Sequence, residues 1–202
     1  MPRARTLYSC TACGAQTPKW VGQCPECGAW NTLEETVESS ASGRQGQAAV
    51  GSTVVRLDEV ALEQSARFSS GLGELDRVLG GGVVHGGAAL IGGDPGIGKS
   101  TLLLQASAYL ASDAGVLYIT GEESLRQVAL RAARLGVDAS ALQVVAETCV
   151  ETILEHARQN KPRVLVVDSI QTMFTEALQS APGAVAQVRE SAARLIRFAK
   201  ET

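Results

Sequence analysis

The stretch Gly93-Asp94-Pro95-Gly96-Ile97-Gly98-Lys99-Ser100 satisfies every position of G-x-x-x-x-G-K-[ST], the phosphate-binding P-loop. The apolar run Ala88-Ala89-Leu90-Ile91 leads into it and the helical run Thr101 to Leu110 follows, so strand, loop and helix are expected in the order the motif needs. Glycines let the backbone curl until successive N–H groups face phosphate oxygens, and the helix behind adds its positive end. Lys99 then reaches the β- and γ-phosphates, and the Ser100 hydroxyl sits on Mg²⁺. The expected nucleotide cradle is Gly93, Asp94, Pro95, Gly96, Ile97, Gly98, Lys99, Ser100 and Thr101. A chance Gly-rich turn would not be expected to meet all of these positions in this context.

Outward from the loop, β and α patterns alternate. Strands are predicted over Ala88 to Gly92, Val116 to Thr120, Leu142 to Ala146 and Arg163 to Val167. Helices are predicted over Lys99 to Ser112, Leu125 to Leu135, Val150 to Asn160 and about 184 to 201. Upstream, Ser70-Gly71-Leu72-Gly73-Glu74-Leu75-Asp76 reads as a capped short helix ending at Gly80-Gly81-Gly82. Short apolar strands alternating with helices imply an α/β fold with a mostly parallel sheet, covered on both faces. Ligands of such sheets bind at the C-terminal ends of the strands.

Two further motifs fall at strand ends. Val164-Leu165-Val166-Val167-Asp168 is the Walker B pattern, in which Asp168 holds Mg²⁺ through water. Tyr118-Ile119-Thr120-Gly121-Glu122-Glu123-Ser124 closes another strand with two acids. A carboxylate there can orient and deprotonate the water that attacks the γ-phosphate. Neighbouring residues point in different directions, so Glu122 takes the catalytic role and Glu123 that of neighbour or alternate. Both could instead serve only the positive end of the helix that follows. Ser169 and Gln171 could sense the γ-phosphate or be ordinary loop residues. His85 and His156 stand in no ligand or triad spacing.

Four of the five cysteines lie near the N-terminus, as Cys10-Thr11-Ala12-Cys13 and Cys24-Pro25-Glu26-Cys27. Two C-x-x-C knuckles at this spacing can give one Zn²⁺ four thiolates. Gly14 and Gly28 follow the knuckles, where the chain needs a positive φ to turn back. Disulfides do not suit a chain without a secretory signal, and a redox C-x-x-C explains the pair less well than zinc. Some thirty residues cannot bury enough apolar surface to fold alone, and metal binding can make up the shortfall. Tyr8, Trp20 and Trp30 are read as padding around the metal, in preference to a stacking or docking surface beside Lys19. Cys149 reads as an inert buried thiol. Thr36 to Thr53 is mostly Ser, Gly, Ala and Gln, a flexible linker. The expected organisation is a zinc module over 1–35, a linker over 36–53 and a nucleotide-binding core over 54–202.

Composition narrows the function. The 202 residues are 45% apolar and 19% charged, a globular balance. Aromatics make up only 4%, so the core must be Ala, Val, Leu and Ile. A net charge of −3 is not that of a chain wrapped in nucleic acid, so contact with DNA would be local. No apolar run approaches the ~18 residues of a membrane span. The start Met1-Pro2-Arg3-Ala4-Arg5 lacks the apolar stretch of a signal peptide, so a cytoplasmic location is expected.

The cysteine knuckles with Lys19-Trp20-x-Gly22-x-Cys24-Pro25-x-Cys27-x-x-Trp30-Asn31-Thr32 resemble the zinc module of the bacterial RadA (Sms) DNA-repair proteins. Arg67 to Gly82, Gly92 to Thr101 and Val167-Asp168-Ser169-Ile170-Gln171-Thr172 are similar to that family's ATPase core. The resemblance implies a RecA-like ATPase core in which Lys99, Ser100 and Asp168 carry ATP and Mg²⁺ and Glu122 activates water. It implies action on single-stranded or branched DNA, extending joint molecules made by a RecA-type recombinase. It also implies a hexameric ring and a partner-contacting zinc module. In the family, further core strands, another signature motif and a domain resembling the Lon protease follow the position of Thr202. The sequence therefore looks like the N-terminal portion of a longer protein, one expected to hydrolyse ATP poorly alone. Arg189, Arg194, Arg197 and Lys200 would suit DNA, but a solvated helix face explains them equally well. A KaiC-type nucleotide switch shares the paired acids and is the competing function, though it lacks the zinc ribbon. A replicative helicase is a third possibility.

Overall fold

The computed structural model describes residues 6–37, 56, 67–178 and 180–202. The chain divides into two compact units. The linker expected over 36–53 lies, from residue 38 on, outside the described residues, as does the start of the core near Val54.

The first unit is a three-stranded antiparallel sheet. It consists of β1 (Thr6–Cys10), β2 (Gln16–Thr17) and β3 (Leu33–Val37), in the order β2-β1-β3. Two equivalent turns carry the cysteines. Cys10 N–H donates to Ala15 O at 2.8 Å and Gly14 N–H to Cys10 O at 2.7 Å. Cys24 N–H donates to Ala29 O and Gly28 N–H to Cys24 O, both at 2.9 Å. Gly14 and Gly28 hold the expected positive φ, 75° and 72°, which keeps a side chain out of each tight return. Among the described residues the buried core is Cys10, Cys24 and Leu33, with Tyr8, Cys13 and Ala15 against it. The aromatic padding is thus limited to Tyr8. Trp20 is 55% exposed and Trp30 69% exposed, because so small a core has no volume to cover two indoles.

The second unit centres on a parallel sheet of β6 (Val116–Thr120), β7 (Gln143–Ala146) and β8 (Val164–Asp168), in the order β7-β6-β8. Helices α2 (Lys99–Ala111) and α3 (Leu125–Leu135) supply Leu104, Val128 and Ala132 to one cluster, which includes Tyr118. Helices α4 (Val150–Asn160) and α5 (Val185–Glu201) supply Val150, Ile153, Leu154, Leu195 and Phe198 to another, built on Leu117 and Ile119. Alternate residues of β6 thus point into different clusters, and all five are buried. This is the doubly covered α/β arrangement the sequence pattern requires. Before it come a ribbon of β4 (Arg67–Phe68) and β5 (Val83–Val84) and the intervening α1 (Gly73–Val78).

Two expectations change. Ala88 to Gly92 is not a strand. A strand exists through its partner's hydrogen bonds, no described segment pairs with this run, and Leu90 is 86% exposed. Helix α1 has Leu72 at its N-cap, without a side-chain cap. Asp76 reaches back from inside the helix instead, accepting from Ser69 Oγ at 2.6 Å and from Ser70 N–H and Oγ at 2.8 and 2.6 Å. The Ser69 and Ser70 hydrogen bonds hold its carboxyl below the usual carboxylate range. Elsewhere the ends shift by a residue or two: β8 runs Val164–Asp168 instead of beginning at Arg163. Among the described residues, no helix is long and apolar enough to cross a membrane.

Candidate functional site

The register of β6 on β8 pairs Thr120 with Asp168, so the two predicted acidic strand ends lie side by side. Helix α2 begins nearby, capped by Gly98 at φ 102°, with Gly96 at φ 80°. Only glycine adopts these left-handed turns without strain. Lys99 Nζ donates to the carbonyls of Gly93 and Asp94, each at 2.8 Å, so the lysine lies along the loop it serves.

Ser100 and Asp168, 68 residues apart, meet: Ser100 Oγ donates to Asp168 Oδ1 at 3.0 Å. A hydroxyl and a carboxylate at this separation are the hard oxygen donors that Mg²⁺ takes. The other carboxylate oxygen, Oδ2, accepts from the Tyr118 hydroxyl at 2.6 Å. Burial, then the adjacent Asp168, pushes the Tyr118 phenol far above its ordinary value, so it remains a donor. Sequence reading took Tyr118 as a plain strand residue. Two residues before Thr120, it shares a face with the position paired to Asp168, a relation that only the strand register reveals.

The adjacent acids diverge. Glu123 forms an ion pair with Arg131 of α3, and its backbone N–H is held by Thr120 Oγ1 at 3.1 Å. Glu122 is exposed and makes no ion pair among the described residues; its Oε1 accepts from Ser169 Oγ at 2.6 Å. Ser169 follows a cis peptide bond after Asp168. Gln171 is exposed in a 3-10 turn, Ile170–Thr172. That turn approaches β6 closely, since a Cβ at Gly121 would lie 2.1 Å from Thr172 Oγ1. His85 is exposed after β5, and His156 is half-buried on α4.

Beyond this site, Glu151 gathers a network that sequence reading did not foresee. It accepts from Thr175 Oγ1 at 2.5 Å and Arg194 at 2.6 Å, and from the Cys149 thiol at 3.3 Å. Burial alone would raise its carboxyl, but hydrogen bonds from Thr175, its own N–H, Cys149 and the Glu176 N–H outweigh burial and lower it. Arg194 is thereby committed to Glu151 and Glu190. Buried Gln187 accepts from Thr175 N–H and donates to the carbonyls of Thr175, Leu178 and Ser180.

In the first unit the sulfurs of Cys10, Cys13, Cys24 and Cys27 all lie within 4.8 Å of one another. Cys10 and Cys27 are 3.7 Å apart, and Cys13 and Cys24 3.6 Å. Tetrahedral Zn–S bonds of about 2.3 Å put the sulfurs about 3.8 Å apart, so the set fits zinc. Burial pushes the Cys10 thiol up, but the Thr32 hydroxyl and the N–H groups of Cys13 and Ala12 outweigh it and hold it at about 6. At Cys13 the Ala15 N–H pulls the thiol down, while burial and the neighbouring sulfurs together push it up to about 12. Without a cation between them, these sulfurs oppose each other's ionisation.

A family model described as a rubredoxin metal binding domain matches residues 8–35. Another, described as an AAA domain, matches residues 56–202. The chain is 59% identical over 205 residues to the DNA repair protein RadA of Pseudomonas aeruginosa, an alignment covering 100% of this chain and 45% of that protein. It is 52% identical over 202 residues to the RadA of Haemophilus influenzae, covering 97% of this chain and 44% of that one. With the RadA of Bacillus subtilis the identity is 46% over 206 residues, covering 99% and 45%. The chain thus spans a little under half the length of these curated relatives.

Proposed function

We propose a role for ATP hydrolysis in DNA repair on one premise: this chain belongs to the AAA domain family and stands with the DNA repair proteins RadA. The observation that carries this reading is the meeting of Ser100 with Asp168, beside a Glu122 that accepts from Ser169. The P-loop from Gly93 to Thr101 binds the phosphates, and Lys99 leaves its loop carbonyls to neutralise the γ-phosphate. Ser100 and Asp168 would hold Mg²⁺, which when bound would supply neutralisation of phosphate charge. Glu122 orients the attacking water and takes its proton as the new P–O bond forms and the bond to the ADP oxygen breaks. Ser169 fixes the Glu122 carboxylate for that task. Glu123 is excluded from it by Arg131. The four cysteines hold Zn²⁺ and shape a module for partner contact.

At the level of the whole protein, this motor acts on single-stranded or branched DNA. It drives branch migration of intermediates made by a RecA-type recombinase, and it works in the cytoplasm as a hexameric ring. The test is ATP hydrolysis by the natural full-length protein, with and without single-stranded DNA, beside Lys99→Ala. DNA stimulation that vanishes in the variant is the expected result. Turnover indifferent to DNA would favour a protein-binding switch of the KaiC type.

A further inference from the structure

We propose that Tyr118 is a positioning residue for Mg²⁺, fixing which oxygen of Asp168 faces the metal. This rests on the nucleotide-binding role argued above. A carboxylate held at one oxygen can still rotate. Asp168 is held at both: Oδ2 by Tyr118 at 2.6 Å and Oδ1 by Ser100 at 3.0 Å. The two donors differ in what they can do next. Ser100 stands in the first turn of α2 and can turn its oxygen to the metal, which leaves Oδ1 to accept from a metal-bound water. Tyr118 cannot leave. Its side chain is 1% exposed and packed in one cluster with Leu104 of α2 and Val128 and Ala132 of α3. Its hydroxyl has Oδ2 as its partner, so the ring's packing fixes where that bond is made.

The ring therefore works as a strut. It spans from the helix that bears Ser100 to the strand that bears Asp168, and it holds the carboxylate plane through cycles of metal entry and exit. Residues that orient a metal ligand in this way commonly change metal affinity by about 10–100-fold when altered. Tyr118→Phe keeps the ring and removes only the bond to Oδ2.

Binding of a fluorescent ATP analogue, titrated with Mg²⁺ and repeated in EDTA, tests this on the natural protein and on Tyr118→Phe. Expected is unchanged affinity in EDTA with a rise of about tenfold in the Mg²⁺ concentration for half-saturation. In hydrolysis assays the loss should largely disappear at saturating Mg²⁺. An unchanged Mg²⁺ requirement would overturn the proposal. So would equal weakening with and without Mg²⁺, which marks a packing role. Should the variant not fold, wild-type protein labelled at tyrosine ¹³Cζ decides. The Tyr118 resonance must move when Mg²⁺ joins the nucleotide, and a resonance that does not respond overturns the strut. If the wild type binds no nucleotide in either condition, the ATPase reading itself falls.

Discussion

At the residue scale, two neighbouring carboxylates separate because of what each can reach. Glu123 has Arg131 about two turns into α3, and Glu122, among the described residues, has a serine hydroxyl. Glu122→Gln is expected to slow single-turnover hydrolysis by about 10²–10⁴-fold, the usual worth of a general base, with nucleotide affinity retained. Glu123→Gln should leave the chemical step near wild type and lower stability by about 1 kcal/mol, the scale of a partly exposed ion pair. Rapid-quench kinetics and denaturant unfolding of the two variants separate these effects. Reversal of the pattern would hand the water to Glu123. Ser100, Asp168 and both glutamates were legible in the sequence because their motifs combine fixed spacing with a required chemistry. Tyr118 was not, because its role depends on a strand register that no local pattern of residues specifies. The Glu151 network escaped for the same reason, since Thr175 and Arg194 reach it across 24 and 43 residues.

At the scale of elements, the helices announced themselves through caps and periodicity. Ser124 and Gln127 form a reciprocal capping box at the start of α3, and Gly136 closes it at φ 66°. The predicted bounds of α3 and α4 are therefore those observed. Ala88 to Gly92 was read from its apolar run, yet apolarity gives a strand no partner, and pairing is settled by segments distant in the chain. The path from β8 to α5 was equally hidden. Besides the Thr175–Glu151 bond, it is held by Gln187, whose amide bonds a backbone N–H and three carbonyls from Thr175 to Ser180. Gln187→Ala strands those buried groups, and about 1–3 kcal/mol attends the loss of a single buried partner. Urea unfolding should show a loss at the upper end of that range or beyond. Hydrogen exchange should rise first at Thr175, whose N–H loses its acceptor. Stability within about 0.5 kcal/mol of wild type, the usual bound for surface changes, would mean that this amide does not organise the loop.

At the scale of the whole molecule, the two units owe their stability to different physics. The second has clusters of mostly aliphatic side chains on its sheet, with Tyr118, Met173, Phe68 and Phe198 among them. Among its described residues the first has three that are buried, two of them cysteines, and its folding free energy must come largely from the metal. Both tryptophans of the chain, Trp20 and Trp30, belong to this first unit, so indole emission reports on it and not on the nucleotide site. Chelation of zinc, or Cys24→Ser, is therefore expected to change tryptophan emission and abolish antiparallel order around Cys10 and Leu33. Nucleotide binding through Lys99 should persist, because the loop it bonds and the Ser100–Asp168 pair belong to the second unit. Lys99→Ala should do the converse, removing nucleotide affinity while tryptophan emission and zinc content stay as in wild type. Metal binding must also displace thiol protons, so zinc retention should weaken as pH falls, and the emission change should follow the same pH course. If chelation leaves the indoles unmoved, the cysteines do not carry the fold of this unit. If it abolishes nucleotide binding as well, the two sites are thermodynamically linked, and the metal stabilises more than the unit that holds it.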